Sequence, residues 1–189
     1  MIIFTTSRYP SQRTRSFLKD LCRVIPGAVK VNRGKSSIMD LSEKAIRLGA
    51  SRLVIIDQIK GNPSRMRFFD VTKTPPEPNP RAVLFSGVAL RREITERRAP
   101  KVETIEVAFS DESIRELSNL LGEGMGISVL GNPIRSEELG KVNSDVVLFV
   151  HLNKKLTISF FLTDPVEELG PRIYVKGVGY LFDRNRDKV

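Results

Sequence analysis

The chain has 189 residues, 40% of them hydrophobic, with one cysteine, one histidine and no tryptophan. That is enough apolar material for a packed core and argues against disorder as the default state. The formal net charge is +9, which makes polyanions the first partner class to consider and an anionic membrane surface the second. The charge is uneven: residues 1–100 hold 20 Lys/Arg against 8 Asp/Glu, whereas residues 101–189 hold 11 against 14. A lone Cys22 excludes an internal disulfide and fits a reducing compartment. Met1–Phe4 is too short for a signal peptide, and no apolar stretch approaches the roughly 20 residues that span a bilayer. The expectation is a protein without membrane contact, cytoplasmic, or nucleolar if the source is eukaryotic.

Ile2–Thr5 reads as a short buried strand. Ser11 is a good N-cap for a helix from Gln12 to Ile25, stopped by Pro26-Gly27. Phe17, Leu18, Leu21, Cys22 and Ile25 share one helix face, and Arg15, Lys19 and Arg23 line up on another. Ala28–Val31 is a second strand and Asn32–Lys35 a loop. Ser37 and Asp40 have the spacing of a capping box. The second helix carries Ile38, Leu41, Ala45 and Leu48 on one face and ends at Gly49. Leu53–Ile56 is an apolar run expected to be a central strand buried on both faces. Gly61-Asn62-Pro63 reads as a turn. Strands are expected at Met66–Val71 and Ala82–Leu90, joined by a proline-rich loop, Thr72–Pro80.

Arg91 to Lys101 is a charged connector that divides a basic half, 1–95, from a near-neutral half, 101–189. The second half opens as the first does, with a strand at Thr104–Phe109, a cap at Ser110 and a helix at Glu112–Leu121. Val146–Leu152 and Leu156–Leu162 read as paired strands. Ile173–Leu181 is a last strand region broken by Gly177 and Gly179. Gly-Asn-Pro recurs at 61–63 and 131–133. The expected class is α/β with mixed sheets; the shared strand–cap–helix opening fits two similar α/β halves and an internal duplication, although residue identity is too low to prove one.

From Ser7 to Lys35 the chain carries eight Lys/Arg and one acid, Asp20. The apolar residues among them sit at helical spacing, so the charge is mounted on a folded surface suited to a phosphate backbone. Asn32-Arg33-Gly34-Lys35-Ser36 ends like a nucleotide-binding P-loop but lacks its leading glycine. It fits better a pocket of backbone amides and cations for an RNA phosphate, placed just before a helix N-terminus. Gly122–Gly126 follows a helix rather than a strand, so it reads as helix termination and a flexible turn rather than a dinucleotide loop. Cys22 and His151 have no zinc spacing and no nucleophile elbow accompanies them. Glu137-Glu138 and Glu167-Glu168 read as charged turns. No catalytic residue, metal ligand or cofactor is expected.

Thr6–Phe17, together with Val31–Lys35, resembles the Brix-domain family of ribosome-biogenesis proteins. The branch it is most similar to works with the U3 small nucleolar RNA particle in small-subunit processing, in a minimal, archaeal-type form. Leu169-Gly170-Pro171-Arg172 resembles a third element of that domain, although Ile173–Gly177 follows where the family has further basic residues. The resemblance runs from Ile3 to about Phe182, a single Brix-like domain over 1–189. It implies two halves, each like the anticodon-binding domain of class II aminoacyl-tRNA synthetases. It also implies ribosomal RNA or pre-rRNA as partner, with small guide RNA particle proteins as further partners, and no catalysis. The residues expected to meet RNA are Arg8, Ser11, Arg13, Arg15, Asn32, Arg33, Gly34 and Lys35, with Arg172 in the second half. The rival readings are a protein-interaction scaffold in a ribonucleoprotein and a metal-dependent RNA-processing enzyme.

Overall fold

The computed structural model describes residues 1–97 and 100–181. The end of the charged connector at 98–99, and the part of the second half and of the family resemblance beyond Leu181, lie outside the described residues. The chain runs β1 (Ile2–Thr6), α1 (Gln12–Val24), β2 (Ala28–Lys30), α2 (Ile38–Arg47), β3 (Arg52–Ile59), β4 (Asn62–Asp70) and β5 (Glu77–Ala89). It continues with β6 (Ile105–Phe109), α3 (Arg115–Met125), β7 (Val146–Leu152), β8 (Leu156–Thr163), β9 (Val166–Glu168) and β10 (Arg172–Tyr180).

The strands form one mixed sheet in the order β2-β1-β3-β4-β5-β10-β8-β7-β6, with β9 on β8. β1 pairs in parallel with β2 and β3, and β3, β4 and β5 then pair antiparallel. Across the β5–β10 junction, β6 and β7 are parallel, and β7, β8 and β10 pair antiparallel. An isolated parallel bridge, Val107 to Val129, flanks β6 as β2 flanks β1.

Residue alternation along the strands decides which face each side chain meets. On one face, α1 and α3 bury Phe17, Leu21, Leu120 and Leu121 against Phe4, Val54, Phe68, Phe109, Leu148 and Phe160 in a single core. On the other, α2 covers Ile3, Leu53, Ile55 and Phe69 with Leu41 and Ala45. A 3-10 segment, Ser136–Lys141, sets Leu139 over Ala108, Val147 and Phe149. Leu53–Ile56 is fully buried, as a central strand between two layers requires. Burial pushes the Cys22 thiol up to about 12, so it stays protonated.

Several expectations change. β4 begins at Asn62, because the turn is made by Lys60 and Gly61, both left-handed. β5 begins at Glu77, inside the stretch read as a loop. Its residue pairing with β10 starts only at Arg81, so Pro78 lies where β4 alone flanks the strand, and Pro80 at the margin of the β10 pairing contributes its carbonyl, which accepts from the Leu181 N–H. Asp111, not Ser110, caps the start of the second-half helix by accepting from the Ser113 N–H. That helix does not stop at Leu121: it continues through Gly122 and Gly124 and ends at left-handed Gly126. A Cβ on Gly122 would overlap Val129, and one on Gly124 would overlap the Phe68 ring. These glycines bring α3 close to its neighbours rather than forming a flexible turn. Glu167 and Glu168 lie in the short strand β9 instead of a turn. β10 runs unbroken through Gly177 and Gly179, with register shifts against β5 only between Tyr174 and Gly177.

Candidate nucleic-acid interface

In sheets of this kind the chain leaves parallel strands at their carboxyl ends, where loops are free to carry ligand-binding groups. β1 leaves the sheet at Thr6, and the Ser7 N–H still bonds to Ile56 O. Arg8 and Tyr9 are exposed. β2 leaves at Lys30, tied by the Val31 N–H to Phe4 O and by the Thr5 hydroxyl, which donates to Val31 O at 2.8 Å. The loop beyond it exposes Asn32, Gly34 and Lys35 and half-buries Arg33. Gly34 has φ +55, a conformation that favours glycine.

At the end of β3 two neighbours face opposite sides of the sheet. Asp57 lies on the α2 side, where its carboxylate accepts from Arg65 Nε at 2.8 Å and from Arg67 at 2.7 and 2.9 Å. Arg67 also stands over the Phe69 ring at 5.8 Å. Arg33 is close enough to feel this cluster. Burial, then the positive charges of Arg67 and Arg8, hold its guanidinium below the ordinary value, while Asp57 pulls it back up. One carboxylate therefore orients two guanidiniums, with a third and a fourth nearby. The net charge of this cluster is strongly positive.

Gln58 lies on the α1 side. Its side-chain oxygen accepts from the Ser11 N–H at 2.8 Å and from the Thr14 hydroxyl at 2.9 Å, and its side-chain nitrogen donates to Tyr9 O at 3.2 Å. This single amide fixes the β1–α1 loop, in which Tyr9 has φ +56, a strained conformation for a residue with a side chain.

The expected contact residues divide into two groups. Arg8, Asn32, Arg33, Gly34 and Lys35 come together along this rim. Arg15 is exposed on α1 beside Lys19, and neither makes an ion pair among the described residues. Ser11 is committed to the fold: its hydroxyl accepts from the Thr14 N–H and donates to Gly61 O at 2.6 Å. Arg13 makes two bonds to Glu93, at 2.7 and 3.0 Å, and one to Val88 O at 2.9 Å. Arg172 is paired through two bonds with Glu168, which holds its guanidinium above the ordinary value. Arg13 and Arg172 therefore tie elements together. Sequence reasoning missed Arg65, Arg67 and Asp57. Their signal was the alternation Arg65-Met66-Arg67-Phe68, which puts two cations on one strand face.

Among the described residues no group of three His, Cys, Asp or Glu could hold a metal ion. No helix among them is long and apolar enough to cross a membrane.

Fold and rim together define a mixed α/β protein with a polycationic face at the carboxyl end of its parallel strands. No family model matches the chain. A probable Brix domain-containing ribosomal biogenesis protein of Thermococcus kodakarensis is 32% identical, over 93% of this chain and 89% of that protein. The counterpart in Sulfurisphaera tokodaii is 49% identical over 71 residues, which span 38% of this chain and only 40% of that protein. The crystal structure of a probable ribosomal biogenesis protein from Aeropyrum pernix matches with a TM-score of 0.73 and 27% identity, over 92% of this chain and 94% of that one. The chain belongs to the family of Brix domain-containing ribosomal biogenesis proteins.

Proposed function

We propose that this protein is a non-catalytic RNA-binding factor of ribosome biogenesis that holds ribosomal RNA or its precursor by the phosphate backbone. The observation that carries the reading is the cluster at the carboxyl ends of β1, β2 and β3. There Asp57 orients Arg65 and Arg67 beside Arg33 and Arg8. Guanidiniums held in place by a carboxylate lose less freedom on meeting a phosphate than free surface side chains do, and their fork geometry matches phosphate oxygens. Lys35, Asn32 and the Gly34 backbone would extend the contact along the rim, and Arg15 would continue it onto α1. Ser11 and Arg13 would act indirectly, by holding the start of α1. Family membership supports the ribosomal assignment, and we carry over as part of the proposal the small-subunit branch and a cytoplasmic location. The matched order of parallel and antiparallel pairings on the two sides of the β5–β10 junction supports two related halves, each like the anticodon-binding domain of class II aminoacyl-tRNA synthetases.

The test is the salt dependence of binding to single-stranded RNA. If about five phosphates are neutralised, log K falls against log salt with a slope near −3.5. A flat response, or an unchanged slope after Arg33→Glu, would overturn the proposal.

A further inference from the structure

We propose that Tyr9 is a stacking platform for one unpaired nucleobase, so that the RNA crossing this rim is single-stranded at the β1–α1 loop. The inference rests on the RNA reading above and adds a base-contacting residue to a face otherwise made of phosphate-binding cations.

Three observations carry it. Tyr9 is 85% exposed, so the fold gains almost nothing from burying its side chain. Its backbone has φ +56, where glycine is the favoured residue, so a bulky aromatic there works against local conformational preference. The loop is nonetheless held on both sides of Tyr9: before it the Ser7 N–H bonds to Ile56 O at 2.9 Å, and after it Gln58 donates to the Tyr9 carbonyl at 3.2 Å and accepts from the Ser11 N–H at 2.8 Å. An aromatic ring that contributes little to the core is thus presented outward on a fixed backbone. It stands next to exposed Arg8 and before a helix whose first turn contains no acid. A rigid exposed aromatic flanked by cations is what an unstacked base needs: a π face to lie on, with its phosphates neutralised to either side. A duplex offers no such base, because its bases are already stacked.

The alternation at the end of β3 gives the path. Asp57 gathers the guanidiniums on the α2 side, and Gln58, the next residue, fixes the Tyr9 loop on the α1 side. A strand passing over this edge would leave phosphates at Arg33, Arg65 and Arg67 and lay a base on Tyr9.

The test uses the full chain and three fluorescent probes: a 12-nucleotide oligouridine, the same oligomer carrying abasic sites, and an RNA duplex of equal length. Tyr9→Ala is expected to weaken oligouridine binding about tenfold, with duplex and abasic affinity and the salt slope unchanged. Tyr9→Trp is expected to keep the affinity and, as the chain's first tryptophan, to be quenched when the oligomer binds. Tyr9→Gly relieves the backbone and is expected to be at least as stable as the parent, yet to bind as weakly as Tyr9→Ala. If the parent binds with the expected salt slope while Tyr9→Ala and Tyr9→Gly bind oligouridine equally well, the stacking role is overturned and the phosphate reading stands. If the parent shows no salt-dependent binding to any probe, both are overturned.

Discussion

The carboxyl ends of β1 and β3 and those of β6 and β7 present the same strand pairing with different electrostatics. Behind β1 come Arg8 and a helix capped by the neutral Ser11, with no acid and two arginines in its first turn. Behind β6 come the cap Asp111 and Glu112, and Glu112 pairs with Arg115. Hydrogen bonds from Ser113 hold the Asp111 carboxyl below its usual range, and Arg115 does the same to Glu112. The second rim therefore satisfies its helix start internally. The first places Arg13 and Arg15 near the positive end of the helix dipole, with Arg13 held by Glu93 and Arg15 without an ion pair among the described residues. On the α2 side the difference repeats, with Asp57, Arg65 and Arg67 in one half and a stacked Phe149 and His151 in the other. At equivalent backbone positions the second half carries acids at the start of its helix, and the first half carries none.

The sharpest way to break this comparison is charge reversal on each rim. Arg33→Glu combined with Arg67→Glu should lower RNA affinity about a hundredfold at moderate salt and flatten the salt slope by about 1.4. Lys154→Glu with Lys155→Glu, on the second rim, should change affinity less than about threefold. Equal losses in a fluorescence-anisotropy titration would mean the two rims are not distinct.

The next largest effect concerns whether the halves are separable. Gly124 of α3 lies against the Phe68 ring of β4, so the two sides share a core. Gly124→Ala should destabilise by about 1–3 kcal/mol, and urea unfolding should remain one transition. Two transitions would mean that the halves unfold independently.

Cap removal gives a smaller pair of effects. Ser11→Ala should cost about 1 kcal/mol in denaturant unfolding, because its hydroxyl both caps α1 and bonds Gly61 O, and Asp111→Ala should lower the unfolding midpoint by less. Ser11→Ala should leave the RNA salt slope unchanged. A loss of affinity beyond the fraction unfolded, at that same slope, would make Ser11 a contact residue, because a neutral hydroxyl releases no counterion.

The smallest effect is on pH. Burial holds His151 below its ordinary value of 6.5, with Glu168 opposing and Arg172 reinforcing the shift. As pH falls below about 6.5 the unfolded chain takes up the proton first, so stability contributed by neutral His151 is lost from there downward. The sole histidine should titrate in an NMR experiment with a midpoint below 6.5. A midpoint above it would contradict the burial.

Local chemistry determined much of this protein in advance. Ser11 and Ser37 cap their helices because a side-chain oxygen in reach of an N-terminal amide needs only its immediate neighbours. The apolar face of α1 and the buried run Leu53–Ile56 follow from periodicity alone. The cations of Arg8 to Lys35 were visible as a cluster for the same reason. Tertiary structure decided which of the chain's cations are held by a carboxylate. Arg13 and Arg172 look as available in the sequence as Arg8, and only folding brings Glu93 and Glu168 to them. Arg65 and Arg67 join the rim because antiparallel pairing of β3 with β4 sets Asp57 opposite Arg65. Gly124 of α3 resembled part of a turn until Phe68, more than fifty positions away, supplied the packing reason for it. Caps and periodic faces depend on residues within a turn or two, whereas the choice between a bound and a free charge depends on strand register and packing between distant segments.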